Sequence, residues 1–158
     1  MKKIVETNSI GNIQFEKGLF SLKLHTEYKE GLINIDGFSH LQILWWGNQS
    51  EGDEHRSRIV ISKPYKKGPD KLGVFATRSQ FRPNPILLTT ILVHKIDFKK
   101  GIIYTPYIDA ENESPILDIK PFHRYENLSH CQVPGWCSHW PSCYEDSANF
   151  DWEAEFNF

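Results

Sequence analysis

The sequence predicts an all-β fold: a small closed or partly open β-barrel with short helical turns and a C-terminal arm. Three observations predict it. Nine short segments rich in Ile, Val, Leu, Phe, Tyr and Trp recur along the chain, each bounded by Gly, Pro, Asn, Asp or Lys clusters, and many short strands with short connections read as a barrel or a sandwich. No GxGxxG follows a strand and no strands alternate with helices, so nothing points to a doubly wound nucleotide-binding sheet. A chain of 158 residues with 39% hydrophobic content can bury one sizeable core, and there is neither an internal repeat nor a low-complexity segment to suggest a second.

The elements follow in order. Residues 9–15 and 19–25 read as the first two strands, Glu27 to Gly31 as a short helical turn, and 32–35 and 39–46 as the next strands. Segments 57–62 and 72–77 follow. The run 86–96 is too apolar at its start for one exposed face and alternates only near its end, the pattern of a central strand. Lys99-Lys100-Gly101 then makes a tight hairpin into 101–108, since Gly permits the positive φ such turns need, and 115–119 closes the series. This assigns residues 1–125 to the barrel and 126–158 to a Trp- and Cys-rich acidic arm packing on the barrel or on a partner subunit. The arm carries Trp136, Trp140, Phe150, Trp152, Phe156 and Phe158, too much apolar surface to leave in water. A homodimer in which the arm contributes is therefore expected. The last ten residues alternate apolar and acidic side chains and would add or cover an edge strand.

A net charge of −2 conceals an asymmetry. All 18 Lys and Arg lie at or before Arg124 against 14 acidic residues there, giving about +4, while the last 34 residues carry −6. Basic residues concentrate at Arg56, Arg58, Lys63, Lys66, Lys67, Lys71, Arg78 and Arg82, a face that would suit a polyanion such as RNA. No apolar run approaches the roughly 18 residues of a membrane span, and the first residues lack the apolar centre of a signal peptide; a cytoplasmic protein is expected. The odd three cysteines, Cys131, Cys137 and Cys143, argue against a disulfide framework. With His130 and His139 they could supply a zinc site, but no CxxC pair is present and the interleaved Trp and Pro residues read better as an apolar arm. No metal is assigned.

The densest signal is Phe75-Ala76-Thr77-Arg78-Ser79-Gln80-Phe81-Arg82-Pro83-Asn84-Pro85-Ile86. Each Pro fixes its own φ and biases the preceding residue toward extended geometry, so Arg82 and Asn84 are held ready rather than helical. With Asp36-Gly37-Phe38-Ser39-His40-Leu41, Asp109-Ala110-Glu111-Asn112-Glu113-Ser114-Pro115 and Ile116-Leu117-Asp118-Ile119-Lys120-Pro121, this run resembles, in the right order, the motifs of the TsaA-like domain family, which includes TrmO, the bacterial tRNA N6-threonylcarbamoyladenosine methyltransferase. The resemblance spans roughly residues 8 to 125.

It implies a β-barrel that binds S-adenosyl-L-methionine, works as a homodimer and methylates tRNA. Carried over by position, the cofactor contacts are Asn48, Gln49, Arg78, Leu88, Asp109, Ala110, Glu111 and Asn112. Arg78 would pair with a carboxylate, Leu88 would wall the adenine, and Asp109 and Glu111 would accept from ribose hydroxyls or the ammonium. Arg82, Asn84 and Tyr107 are candidates to orient the substrate. His40 reads as a hydrogen-bonded structural residue, and no catalytic base is assigned; Asp118 and Lys120 read equally as an internal ion pair or as site residues. The chain also departs from the family: Phe15-Glu16-Lys17-Gly18-Leu19 stands where those enzymes have ProArgGln, Asn48 replaces a His, Leu87 a Gly, and the tail is shorter than their C-terminal domain. The alternatives are a methyltransferase of the same fold on another small substrate, or a non-catalytic S-adenosyl-L-methionine-binding module.

Overall fold

A computed structural model of the chain describes residues 3–157; Phe158, expected in the aromatic arm, lies outside them. Nine strands form among the described residues: β1 Gly11–Glu16, β2 Leu19–Leu24, β3 His40–Trp46, β4 Val60–Ser62, β5 Lys71–Gly73, β6 Ile86–Leu92, β7 Lys95–Asp97, β8 Ile102–Thr105 and β9 Pro115–Pro121. Two single-turn helices, α1 Asp53–Arg56 and α2 Tyr144–Ser147, accompany several 3-10 turns. Seven strands make one antiparallel sheet in the order β6-β3-β9-β1-β2-β8-β7, and β4 and β5 form a separate ribbon.

Local chemistry sets these elements. Lys17 and Gly18 both take positive φ, 53° and 80°, as a two-residue turn requires when its twist must match the flanking strands, so β1 and β2 pair in unbroken register from Gly11↔Leu24 to Glu16↔Leu19. Period-two burial then puts Ile13, Leu22, Leu24, Leu41, Ile43, Trp45, Ile91, Ile103 and Ile116 on one face, where Leu32 and Ile108 from the connections complete a single core. Each fully buried side chain of this size contributes about 1.5–3 kcal/mol.

The expected barrel is not formed. β6 and β7 are the two ends of the ladder and do not pair. They are successive pieces of one segment: Val93 N–H still donates to Ser39 of the β3 side at 2.8 Å, and the next residue, His94, donates to Tyr104 of β8 at 2.9 Å. With no turn to fold β7 back alongside β6, the two do not pair, and the sheet stays open while a two-residue step ties its edges together at one corner. The segment 86–96 is thus split, and β6 is an edge strand rather than a central one. Thr89 faces inward and accepts from Trp45 Nε1 at 3.1 Å, whereas Ile86, Leu88 and Leu92 remain 41–44% exposed.

Four other expected strands shorten or vanish, 101–108 among them, which ends as β8 at Thr105. Leu32 ends a 3-10 helix over Thr26–Leu32, confirming the helical turn, and Asn34 at φ 61° breaks extension across 32–35. Ser57 caps α1, leaving only β4 of 57–62. Val74–Ala76 form a 3-10 turn, leaving only β5 of 72–77.

The arm packs on its own chain. Tyr65 stacks on Trp136 at 5.1 Å, meets Trp140 at 5.1 Å edge-on and lies 5.7 Å from Phe156, and Trp152 joins through Trp140 and Phe150. Beneath them the buried Glu155 carboxylate receives His139 Nε2 at 2.8 Å, Trp140 Nε1 at 3.2 Å and Lys67 Nζ at 3.5 Å. The His139 hydrogen bond, helped by Trp140 and Lys67 and opposed by burial, holds Glu155 below the usual carboxylate range. Among the described residues the alternating C-terminal segment makes one isolated bridge, Tyr65↔Phe156, and joins no edge of the large sheet.

Candidate functional site

Register brings the sequence-predicted residues to one end of the sheet. β3 runs out at Trp46, directly opposite Ile86 at the start of β6, and β9 begins at Pro115 and Ile116, the latter opposite Trp45. The connections leaving or entering there carry Asn48 and Gln49 after β3, Arg78 to Asn84 before β6, and Asp109 to Asn112 before β9. Tyr107 reaches the same end because Thr105, at the finish of β8, pairs with Phe20 beside the β1–β2 turn.

The arginine-rich connection contains no helical residue between Arg78 and Pro85. It is braced by its own side chains: Ser79 N–H donates to Thr77 Oγ1 at 3.3 Å, and Phe81 N–H to Ser79 Oγ at 3.2 Å. Pro85 is fully buried, and its carbonyl accepts from Gly47 N–H at 2.8 Å. That bond ties the start of β6 to the 3-10 turn Asn48–Ser50.

Arg78 and Leu88 meet. Arg78 Nη2 donates to the Leu88 carbonyl at 2.6 Å, using an outward acceptor that an edge strand leaves unpaired. The remaining donors of the Arg78 fork stay in solvent, beside a Leu88 side chain that is 43% exposed. Behind it the Arg78 backbone lies against the Tyr65 phenol, whose pKa is pushed up by burial first, then by the neighbouring Cys137, with the Arg78 hydrogen bond opposing.

The 107–112 turn presents Asp109 and Glu111 exposed and Ala110 half-buried, and neither carboxylate is in an ion pair among the described residues. Burial raises the Tyr107 phenol, reinforced by Asp109 and then Tyr144. Asn112 is partly spoken for: its Oδ1 accepts from Phe15 N–H at 2.8 Å, which pins the turn to β1.

Other expectations resolve differently. Asp118 and Lys120 do pair, at 2.7 Å, but the pair is about half exposed and not internal. His40 Nδ1 bonds Ser39 Oγ at 2.9 Å. Cys137 Sγ donates to the Pro134 carbonyl and His139 serves Glu155; no group of three or more metal-ligating side chains gathers among the described residues. Two open depressions, one around Lys23, His25 and Lys100 and one around Phe38, Val93 and Phe98, contain none of the predicted residues. The sequence reading missed Tyr65, and it missed His55, which stacks on Phe81 at 4.5 Å. Both contacts are tertiary, and no periodicity or local motif signals them.

In place of the ProArgGln segment stands a closed hairpin, Glu16 to Leu19, with the Phe15 ring tilted against Phe20 at 4.5 Å.

Residues 11–127 match the model of the tRNA-methyltransferase O N-terminal domain. A probable S-adenosyl-L-methionine-binding protein of Pyrococcus horikoshii is 39% identical over 119 residues, 74% of this chain and 82% of that protein; one from Methanocaldococcus jannaschii is 35% identical over 113 residues, 72% and 88%. A tRNA (adenine(37)-N6)-methyltransferase of Rattus norvegicus is 31% identical over 110 residues, 70% of this chain but only 23% of that enzyme. Among solved structures, TrmO from Pseudomonas aeruginosa superposes with a TM-score of 0.64 at 22% identity, covering 85% of this chain and 62% of that one. A second TrmO structure gives 0.65 at 23%, with 84% and 64% covered. The chain thus spans less than two thirds of the solved structures it resembles. No helix among the described residues is long and apolar enough to cross a membrane.

Proposed function

Because the chain belongs to the tRNA-methyltransferase O N-terminal domain family, we propose that it is an S-adenosyl-L-methionine-dependent methyltransferase acting on tRNA, its acceptor the N6 nitrogen of threonylcarbamoyladenosine. The observation that carries the reading is the convergence on one end of the sheet of an Arg78 fork with free donors, an exposed apolar Leu88 beside it, and two unpaired carboxylates. That donor set fits the cofactor S-adenosyl-L-methionine, which needs a cation for its carboxylate, an apolar wall for adenine and acceptors for its ribose and ammonium.

In this reading Arg78 takes the carboxylate, Leu88 lies against the adenine, and Asp109 and Glu111 accept from the hydroxyls or the ammonium. Asn48, Gln49, Ala110 and the free amide of Asn112 complete the cradle. When bound, the sulfonium supplies an already activated methyl group. The chain's own task is alignment and exclusion of water: Arg82, Asn84 and Tyr107 orient the acceptor nitrogen, and none of them is assigned as a base. The same reading takes residues 1–125 as the family domain, 126–158 as an arm added to it, and the working unit as a cytoplasmic homodimer.

The test is mass spectrometry of nucleosides from tRNA incubated with the protein and cofactor. One added methyl on the threonylcarbamoylated adenosine is expected; an unchanged nucleoside profile alongside methylation of a small acceptor moves the assignment to the second reading, a small-substrate methyltransferase. The closed Glu16–Leu19 hairpin at the position of ProArgGln favours that reading. Cofactor binding with no transfer to any acceptor leaves a binding module.

A further inference from the structure

The basic stretch from Arg56 to Arg82 is not one surface. Its adjacent lysines serve the arm: Lys66 Nζ donates to the Glu153 carbonyl at 3.2 Å, and Lys67 Nζ lies 3.5 Å from the Glu155 carboxylate. Three arginines gather elsewhere, on the five residues 79–83. Arg56 Nε donates to the Pro83 carbonyl at 3.1 Å, and Arg82 Nη1 to the Ser79 carbonyl at 3.4 Å. Arg58 Cζ sits 5.4 Å from the centroid of the Phe81 ring, and His55 stacks on that ring with an interplanar angle of 26°.

Among the described residues no carboxylate pairs with any of these guanidiniums, although Asp53 and Glu54 lie on α1 itself; the ion pairs there involve Lys67, Lys100, Lys120 and His139. Each anchoring contact uses one N–H or the ring face and leaves the rest of the fork open. Holding three like charges around one short segment costs electrostatic free energy, and a bridging anion removes that cost. Guanidinium forks match phosphate oxygens two at a time. The anion should be extended rather than single, because the three side chains arrive from α1, from the residues after it and from segment 79–83 itself.

We propose that α1 and segment 79–83 form a phosphodiester-binding site for the RNA substrate. Arg56 and Arg58 contact backbone phosphates near the acceptor nucleoside that Arg82 and Asn84 orient, and the His55–Phe81 stack holds their spacing. The inference rests on the tRNA reading above and specifies which surface meets the RNA; the lysine pair Lys66 and Lys67 is excluded from it.

Binding of tRNA at several salt concentrations and of S-adenosyl-L-methionine by calorimetry is measured for the full chain, for Arg56→Gln with Arg58→Gln, and for Arg56→Lys with Arg58→Lys. The Gln pair should weaken tRNA binding about tenfold and lower the slope of log affinity against log salt by roughly 1.5–2, two phosphate contacts' worth. The Lys pair should keep the slope, and cofactor affinity should not change in either. Equal tRNA affinity and slope in the wild type and the Gln pair overturn this site while leaving methyl transfer standing. A wild type with no tRNA affinity at low salt overturns the substrate reading and this site together. Should the Gln pair also lose cofactor binding, a sign of misfolding, Arg58→Gln alone decides, with a slope change of about 1 expected and none overturning the proposal.

Discussion

Arg78 has one observed role and, in the proposed reading, a second whose energy differs. Its bond to the Leu88 carbonyl ends an exposed strand edge, where water replaces it at little cost, whereas a charge-assisted pair with a carboxylate is worth about 1.5–3 kcal/mol. Arg78→Ala should therefore lower S-adenosyl-L-methionine affinity roughly ten- to a hundredfold while moving the melting temperature little; calorimetry beside thermal melting separates the two, and unchanged affinity removes Arg78 from the site. As candidates, Arg78 was legible in the dense run from Phe75 to Ile86 and Leu88, beyond it, only through the family resemblance. Their direct contact was not, since it depends on β6 being an edge, and the apolar run 86–96 signals the opposite. Tyr65 and His55 were illegible for a related reason: each acts on a residue 13 or more positions away, through packing that no short window records.

At the level of elements, the strands that carry regular alternation or a glycine turn were readable, and the ones cut short by positive φ or 3-10 turns were not. β1 depends on a close approach at Gly11, where a Cβ would stand 2.3 Å from the Lys23 carbonyl oxygen. Gly11→Ala should force β1 away from β2 and cost about 1–3 kcal/mol, read as a drop in the denaturation midpoint; an unchanged midpoint means the pair relaxes freely. The arm has its own latch in Glu155. Because its folded pKa is depressed, its contribution is present in full above the ordinary carboxylate value and is lost as pH falls through the folded value. Tryptophan fluorescence should stay level from neutral pH into mild acid and then change as the arm loosens, a step that Glu155→Gln should abolish at the same pH. A persistent step in that variant would assign the acid sensitivity elsewhere.

For the whole molecule, the predominance of strands was readable from composition and spacing, but the absence of a barrel was not, because a barrel and an open sheet share the same pattern along each strand. The homodimer proposal also changes its footing. The arm aromatics, expected to pack on the barrel or on a partner subunit, are packed around Tyr65 within one chain, and the exposed apolar Ile86 and Leu92 of β6 are the surface proposed for a second copy. Light scattering should give twice the mass of one chain, and Leu92→Glu should shift it to a monomer; a monomeric wild type at micromolar concentration ends the proposal.

β9 lies between β1 and β3 in the sheet, yet it is the last of the nine strands in the sequence. During synthesis, residues 11 to 114 must therefore wait with β1 and β3 edges unpaired, because the piece that joins the two halves leaves the ribosome after both. Such late, non-local closure slows folding and exposes apolar edges to neighbours in the meantime. A nascent chain stalled before Pro115 lacks the strand that joins β1 to β3, and the arrival of β9 completes the seven-stranded sheet.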